Sequence, residues 1–198
     1  MKLYSAPGTG SSAAHICLIE EDIPFDLVKV DLRGDRRLPD GRFLKDLNPK
    51  NAVPVLELDN GQVLTENAAI LQFIADFKPS AGLAPPCDTF ARVRLQEALS
   101  FIGTELHPAL GAFFDPRWPE EARALLLDRF ATRASYLDQV LQEADYLVGE
   151  RFSVADAYLF VVLGWCPMLE ININRYLNLV AFMERVGDRP SIKKVRQA

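Results

Sequence analysis

A short turn near the start of the chain is rich in glycine and hydroxyl side chains and could stabilise an anion. Residues Pro7 to Ser12 read PGTGSS and directly precede an apolar helical segment. Free N–H groups at a helix N-terminus attract negative charge, and hydroxyl groups add hydrogen bonds. The turn has neither the lysine of a phosphate-binding loop nor the glycine spacing of a dinucleotide site, so we exclude nucleotide binding. A capped structural turn is the alternative, and the residues alone leave both interpretations open.

A second candidate is the pair Glu66-Asn67, where a hairpin is predicted to lead into a helix. Asp59-Asn60-Gly61 between two apolar runs is a strong local hairpin signal. A carboxylate at a helix N-terminus often only complements the helix dipole, which stabilises the helix by about 0.3–1 kcal/mol. Together with free N–H groups, Glu66 could instead bind a ligand that carries both a carboxylate and an ammonium group.

Three further features carry weaker signals. Val53-Pro54 precedes a predicted strand, and trans is the ordinary expectation because only about 5–6% of X-Pro bonds in folded proteins are cis. His107 lies before Pro108 at a predicted helix end, and a lone histidine is more often structural than catalytic. The segment 153–156 (SVAD) is a capping box before an apolar run, and we expect its role to be structural.

The elements that must position these residues change character along the chain. Up to Phe77 the pattern predicts alternating strands and helices that end in a hairpin and a helix. The strands are expected at 2–5, 25–30, 55–58 and 62–64. The last helix of this part should bury the apolar face Ile70, Leu71, Ile74 and Phe77.

Beyond a connector rich in proline, the pattern predicts only helices. They are expected at 90–106, 119–143, 153–164 and 177–186. We therefore divide the chain into an N-terminal domain (1–78), a linker (79–87) and a helical C-terminal domain (88–198).

Composition excludes several classes of function. The 198 residues carry a net charge of -5, which disfavours nucleic acid because phosphate binding needs clustered Lys and Arg. Three scattered cysteines and two histidines indicate neither a disulfide framework nor a metal centre. Neither a signal peptide nor an apolar run near the length of a membrane span is recognisable. We expect a cytoplasmic, metal-free protein.

In their order and spacing, these features resemble the glutathione transferase family along nearly the whole chain, and most closely its bacterial beta class. The resembling segments are MKLYSAPGTGSSAAH, VDLR, LNPKNAVPVLELDNGQVLTENAAILQFIAD, TELH and GERFSVADAYLF. The combination of NPK-x-x-VP, LTE and S-x-x-D is specific, although no single piece is. The resemblance implies a thioredoxin-like α/β domain with a mixed four-stranded sheet, followed by an all-α helical-bundle domain.

The resemblance also implies glutathione as co-substrate and a homodimer. It assigns glutathione contacts to Gly10, Lys50, Val53, Pro54, Glu66 and Asn67. Val53, before a cis proline, would pair through its backbone with the cysteinyl part of glutathione. Glu66 and Asn67 would hold the γ-glutamyl end, and His107 would face the active site from the second domain.

Two departures from the family pattern bear on catalysis. The beta class has a cysteine where this chain has Gly10, and Asn67 stands where Ser or Ala is common. Serine-type classes use a hydroxyl group at the start of the first helix. Ser11 is the best candidate for that role, with Thr9 and Ser12 as rivals.

The implied reaction is attack of the glutathione sulfur on a small hydrophobic electrophile. Only the thiolate is a good nucleophile, and lowering a thiol pKa of about 8.5 by ~2 units takes ~2.7 kcal/mol. A hydroxyl hydrogen bond to an anion (~1.5–3 kcal/mol) and a helix N-terminus (~0.3–1 kcal/mol) suffice for this, with His107 assisting. We therefore predict a glutathione transferase. The alternatives are a non-catalytic binding or scaffold protein of the same fold, and a glutathione-dependent reductase or peroxidase.

Overall fold

The computed structural model describes residues 1–197, which begin with a mixed four-stranded sheet. Strand β1 (Lys2–Ser5) pairs in parallel with β2 (Asp26–Lys29). Strand β3 (Val55–Glu57) runs antiparallel to β1 and to β4 (Val63–Thr65). The order across the sheet is β2-β1-β3-β4, which confirms the predicted α/β architecture.

The centre of the sheet is built from leucines in register. Leu3 lies opposite Leu27 on β2 and Leu56 on β3, and Leu56 in turn lies opposite Leu64. Leu3 and Leu56 are fully buried in the main core. The helices of this part of the chain are α1 (Ser12–Glu20), α2 (Leu44–Leu47) and α3 (Asn67–Phe77).

The apolar face of α3 was predicted correctly except at its end. Ile70, Leu71 and Ile74 are buried, whereas the Phe77 side chain is 58% exposed. Phe77 is the last residue of α3, in a final turn where its neighbours Asp76 and Lys78 are also exposed. The helical period places Phe77 on the right face, but no core lies opposite the end of the helix.

Every regular element described after residue 88 is helical, which confirms the predicted second part of the fold. The helices are α4 (Phe90–Phe101), α5 (His107–Gly111), α6 (Glu120–Glu143), α7 (Val154–Leu163), α8 (Leu177–Gly187) and α9 (Pro190–Gln197). Helix α9, which buries Ile192, was not predicted from the sequence. Within residues 1–197, no helix is both long and apolar enough to cross a bilayer.

The helix end predicted at His107-Pro108 is wrong. A π-helical turn, Ile102–Leu106, joins α4 to α5, and the His107 N–H donates to the Ile102 carbonyl. Pro108 lies in the first turn of α5. Its missing N–H is tolerated there because the first N–H groups of a helix have no partner within that helix. The chain therefore continues as a helix through Pro108.

Helix α7 forms the centre of the helical part and starts at the predicted capping box. The Asp156 carboxylate accepts the N–H and hydroxyl of Ser153 at 2.8 and 2.7 Å, and the Leu147 N–H at 2.8 Å. Burial raises the pKa of Asp156 to about 6, and these hydrogen bonds oppose the rise. Because α7 packs against α1, α3 and α4, this start fixes the two parts of the fold against each other.

Candidate active site

The turn before α1 is held by buried hydroxyl groups. Ser11 is fully buried, and its Oγ lies 2.7 Å from Ser5 Oγ and 2.6 Å from Thr9 Oγ1. Ser11 Oγ also accepts the Ala6 N–H at 3.1 Å, while Thr9 Oγ1 donates to the Ala6 carbonyl at 2.8 Å. Ser11 thus has its partners inside the turn, and Thr9 is only partly buried. A direct role for Ser11 in holding a thiolate stays a prediction, and this geometry favours a role through Thr9.

The other polar residues of α1 face elsewhere. Ser12 and His15 line a separate cavity of about 370 Å³. The His15 ring is buried, with its centroid 5.4 Å from that of Phe25. Cys17 is fully buried, and burial raises the pKa of its thiol. These residues therefore hold α1 in place and do not line the cleft that contains the predicted site.

A cleft of about 610 Å³ lies between the sheet domain and helices α4 and α7. The predicted site residues that line it are Lys50, Val53, Pro54, Glu66, Asn67 and His107. Tyr158 of α7 lines it from the other side. The fold thus brings both halves of the chain to one cleft.

A second cavity of about 380 Å³ adjoins this cleft. Its walls include Thr9, Gly10, Leu32, Arg36, Phe114 and Trp165. Val53 and His107 line both cavities and form their boundary. An extended ligand can therefore run from Glu66 past Val53 to Gly10. Ser11 and Ser12 are the predicted site residues that line neither cavity.

Charged groups stand at the mouth of the cleft. The Glu66 carboxylate pairs with the Lys50 ammonium, which also donates to Thr65 Oγ1 at 2.8 Å. Both charged side chains are more than half exposed, so an incoming zwitterion can exchange with either partner. The Glu66 backbone has a φ of 73°, in the left-handed region that non-glycine residues seldom adopt. Such strain occurs preferentially at functional sites.

Asn67, at the start of α3, offers an unused acceptor in the cleft. Its Nδ2 donates to the Gly10 carbonyl at 2.8 Å, which ties α3 to the turn before α1. Its Oδ1 is buried and has no hydrogen-bond partner within the described residues. An unpaired buried acceptor costs about 1–3 kcal/mol, and a ligand N–H placed here would remove that cost.

The loop before β3 presents the Val53 backbone to the cleft. The Val53-Pro54 peptide bond is cis, as the family resemblance implied. Asn48 holds the loop from within, because its Nδ2 donates to the Ala52 carbonyl at 2.8 Å and its Oδ1 accepts the Lys50 N–H at 3.1 Å. This role of Asn48 was not predicted from the sequence.

His107 reaches the boundary of the two cavities from the start of α5. Its Nδ1 lies 2.7 Å from the Tyr158 hydroxyl, and its ring packs edge-on against Trp165 with centroids 4.8 Å apart. Trp165 Nε1 in turn donates to the Gly8 carbonyl at 2.8 Å. Burial lowers the pKa of His107, which favours the neutral form of the ring.

Tyr158 and Trp165 were not predicted as site residues from the sequence. Tyr158 lies in the helix predicted at 153–164 and Trp165 directly follows it, in an apolar run for which we predicted no part in the site. One signal was present, because buried Tyr and Trp usually direct their polar atoms to a hydrogen-bond partner. The pattern did not identify that partner, which is far away in the sequence.

These features define a two-domain protein in which a thioredoxin-like sheet domain and a helical domain share a ligand cleft. The chain belongs to the glutathione S-transferase family. Residues 11–76 match the family's N-terminal domain, and residues 94–190 match its C-terminal domain.

Relatives support the same assignment over the full length. The chain is 38% identical to glutathione S-transferase GstA of Escherichia coli O157:H7, over 100% of this chain and 98% of that protein. A sphingomonad glutathione S-transferase solved with glutathione is 40% identical, with a TM-score of 0.95 over 100% of this chain and 98% of that chain. The beta-class enzyme of Sphingomonas chungbukensis is 43% identical, with a TM-score of 0.94 over 100% of this chain and 98% of that one.

Proposed function

We propose that this protein is a cytoplasmic glutathione S-transferase that joins the glutathione sulfur to small hydrophobic electrophiles. The observation that carries the proposal is the cleft itself, because it combines Lys50, Glu66 and Asn67 with the Val53 backbone and His107. We keep 1–78 and 88–198 as the limits of the two domains, with the cleft between them.

The charged end of the cleft fits the γ-glutamyl group of glutathione. Its ammonium group can pair with the Glu66 carboxylate and donate to the free Asn67 Oδ1. Its carboxylate can take the place of Glu66 beside the Lys50 ammonium. The chain of the tripeptide then runs along the Val53 backbone, which places its sulfur at the boundary of the two cavities, next to Gly10 and His107.

Three groups can stabilise the thiolate at this boundary. His107 offers a ring N–H, and the N-terminus of α1 offers its positive end. Thr9 offers a hydroxyl, which would rotate away from the Ala6 carbonyl to donate to the sulfur. A hydrogen bond to a charged group contributes ~1.5–3 kcal/mol, and the helix contributes ~0.3–1 kcal/mol. Their sum covers the ~2.7 kcal/mol that a shift of 2 pKa units requires. Ser11 acts in this proposal by holding Thr9.

The second cavity receives the electrophile. Leu32, Phe114 and Trp165 give it apolar and aromatic walls, and Arg36 is a cationic group at its edge. In the reaction the thiolate forms a bond to an electrophilic carbon, and the leaving group departs with the electron pair of its own bond. A small aromatic electrophile fits both the size and the walls of this cavity.

An exposed apolar surface supports assembly as a homodimer. Phe77 on α3, Phe90 and Val93 on α4 and Tyr136 on α6 are each more than half exposed. A groove of about 740 Å³ runs beside Phe90 between α4 and α6. Monomeric proteins rarely expose large apolar patches, and a second copy of the chain would cover these side chains.

Calorimetry and a conjugation assay test the proposal together. We expect the protein to bind glutathione and to conjugate it to an aryl halide. Glu66→Gln should raise the glutathione Kd about tenfold, which corresponds to about 1.4 kcal/mol. Glu150→Gln, which changes an exposed carboxylate remote from the cleft, should leave the Kd unchanged. Binding without any turnover would support the scaffold alternative, and absence of binding would refute the proposal.

A further inference from the structure

Gly10 leaves room that the His107 ring occupies. A Cβ atom at position 10 would lie 2.8 Å from His107 Cε1 and 3.4 Å from His107 Nδ1, closer than side chains normally approach. The ring therefore packs directly on the backbone of the turn, where any larger residue would hold it away. The imidazole consequently comes to the place where the glutathione sulfur is expected.

Tyr158 holds this ring from the opposite side. Its hydroxyl is 2.7 Å from His107 Nδ1, and the centroids of the two rings are 5.7 Å apart in an edge-on arrangement. Tyr158 is itself buried in α7, where it has little freedom to move. The imidazole is thus enclosed by Gly10, Tyr158 and Trp165.

The direction of the Tyr158–His107 hydrogen bond follows from the groups around the tyrosine. Burial raises the pKa of Tyr158 to about 12, whereas a hydrogen bond from Asn67 opposes the rise. Tyr158 therefore keeps its proton at neutral pH. Among the described residues, the Tyr158 hydroxyl has no other acceptor within hydrogen-bond distance, so it donates its proton to His107 Nδ1. A neutral imidazole that accepts at Nδ1 carries its own proton on Nε2.

The Nε2 edge of the ring faces the second cavity. His107 Cε1 is the atom nearest to Gly10, and His107 Cδ2 lies 3.9 Å from the position of a Cβ on Gly111. Nε2 is bonded to both of these ring carbons. It therefore lies between Gly10 and Gly111, and both of these residues line the cavity.

We propose that Tyr158 is a positioning residue that fixes His107 in the Nε2-protonated tautomer, so that His107 donates a hydrogen bond to the glutathione thiolate. This inference rests on the proposed function. Without the Tyr158 hydroxyl, the ring can also adopt the Nδ1-protonated tautomer. In that tautomer Nε2 is an acceptor, and an acceptor favours the neutral thiol over the thiolate.

Tyr158→Phe tests the proposal, because it removes the hydroxyl and keeps the ring. The pKa of bound glutathione, measured by the ultraviolet absorbance of the thiolate, should rise by about half to one unit. At a pH below that pKa, kcat/KM should fall about three- to tenfold. Tyr176→Phe is the matched control, since Tyr176 is also buried, donates its hydroxyl proton to the Ala131 carbonyl and does not line the cleft, and it should change neither quantity.

A double-mutant cycle separates positioning from a general structural effect. In a His107→Ala background, Tyr158→Phe should no longer change the thiol pKa, because the hydroxyl has no ring left to orient. A rise of the same size in that background would overturn the proposal. An unchanged pKa of bound glutathione in the Tyr158→Phe variant would also overturn the proposal. In that case, thiolate formation in the wild-type protein would leave the proposed function intact. Failure of the wild-type protein to bind glutathione would overturn both.

Nitrogen NMR of the wild-type protein tests the tautomer without any substitution. The chain has two histidines, so the spectrum of His107 can be assigned by its loss in His107→Ala. Nitrogen chemical shifts that place the proton on Nε2 support the proposal. Shifts that place it on Nδ1 overturn it.

Discussion

Replacing Gly10 by Ala should displace His107 and raise the pKa of bound glutathione. The new Cβ would lie 2.8 Å from His107 Cε1, so one of the two groups must move. The His107 ring cannot move without losing contacts, because the Tyr158 hydroxyl bonds to its Nδ1 and the ring centroid of Trp165 lies 4.8 Å from its own. Gly10 does not lie in the left-handed region, so the effect of the substitution is steric rather than conformational.

The magnitude follows from these contacts. Overpacking of a buried site costs about 1–3 kcal/mol, and loss of the Tyr158–His107 hydrogen bond costs about 0.5–1.5 kcal/mol. We expect the free energy of unfolding of Gly10→Ala to fall by about 2 kcal/mol. The pKa of bound glutathione should rise by about one unit, since one unit corresponds to about 1.4 kcal/mol.

Urea unfolding and ultraviolet titration of bound glutathione measure the two effects. Gly111→Ala is the matched control, because its Cβ would meet the same ring at an ordinary 3.9 Å. It should leave the thiol pKa unchanged. In a His107→Ala background, Gly10→Ala should cost less than about 0.5 kcal/mol, since the opposing ring is gone. Equal stabilities and equal thiol pKa values for Gly10→Ala and Gly111→Ala would refute the steric argument.

Three further predictions concern buried polar groups. Ser11→Ala should lower the free energy of unfolding by about 1–3 kcal/mol, because the Ala6 N–H loses its acceptor. The same variant should change the pKa of bound glutathione less than His107→Ala does. Burial raises the pKa of Glu21 to about 7, so the free energy of unfolding should fall by about 2–3 kcal/mol as the pH rises from about 4.5 through 7. Glu21→Gln should flatten this pH dependence, measured by urea unfolding at several pH values. An unchanged pH dependence in the variant would contradict the assignment to Glu21. Ser153→Ala should lower the melting temperature, because the helix cap contributes about 1 kcal/mol. Asp156→Ala should lower the melting temperature further, because the carboxylate accepts both the N–H and the hydroxyl of Ser153. Equal decreases in melting temperature would argue against Asp156 as the main group of this capping box.

The sheet and most helices were predictable because their signals are local. Alternation of apolar residues marked β2, and Asn60-Gly61 marked the turn between β3 and β4. Prediction failed where tertiary structure overrides local preference. The π-helical turn before His107 carries the helix through Pro108, and Phe77 lies beyond the edge of the core.

The site residues that belong to local sequence motifs were predictable, whereas those brought together by tertiary contacts were not. Glu66 and Asn67 mark the start of a helix that is visible in the sequence, and they line the cleft. Tyr158 is 51 positions from His107, and no local pattern pairs them. The burial of Ser11 was equally hidden, because a hydroxyl at a helix start can face either the cleft or the turn.

The ionisation of bound glutathione tests the central claim most directly. The cleft should bind the tripeptide and hold its sulfur as a thiolate next to His107. In the wild-type protein, the ultraviolet titration should give a midpoint about two pH units below that of free glutathione, and His107→Ala should move the midpoint back by about one unit or more. Calorimetric binding with the midpoint of the free thiol would contradict the claim.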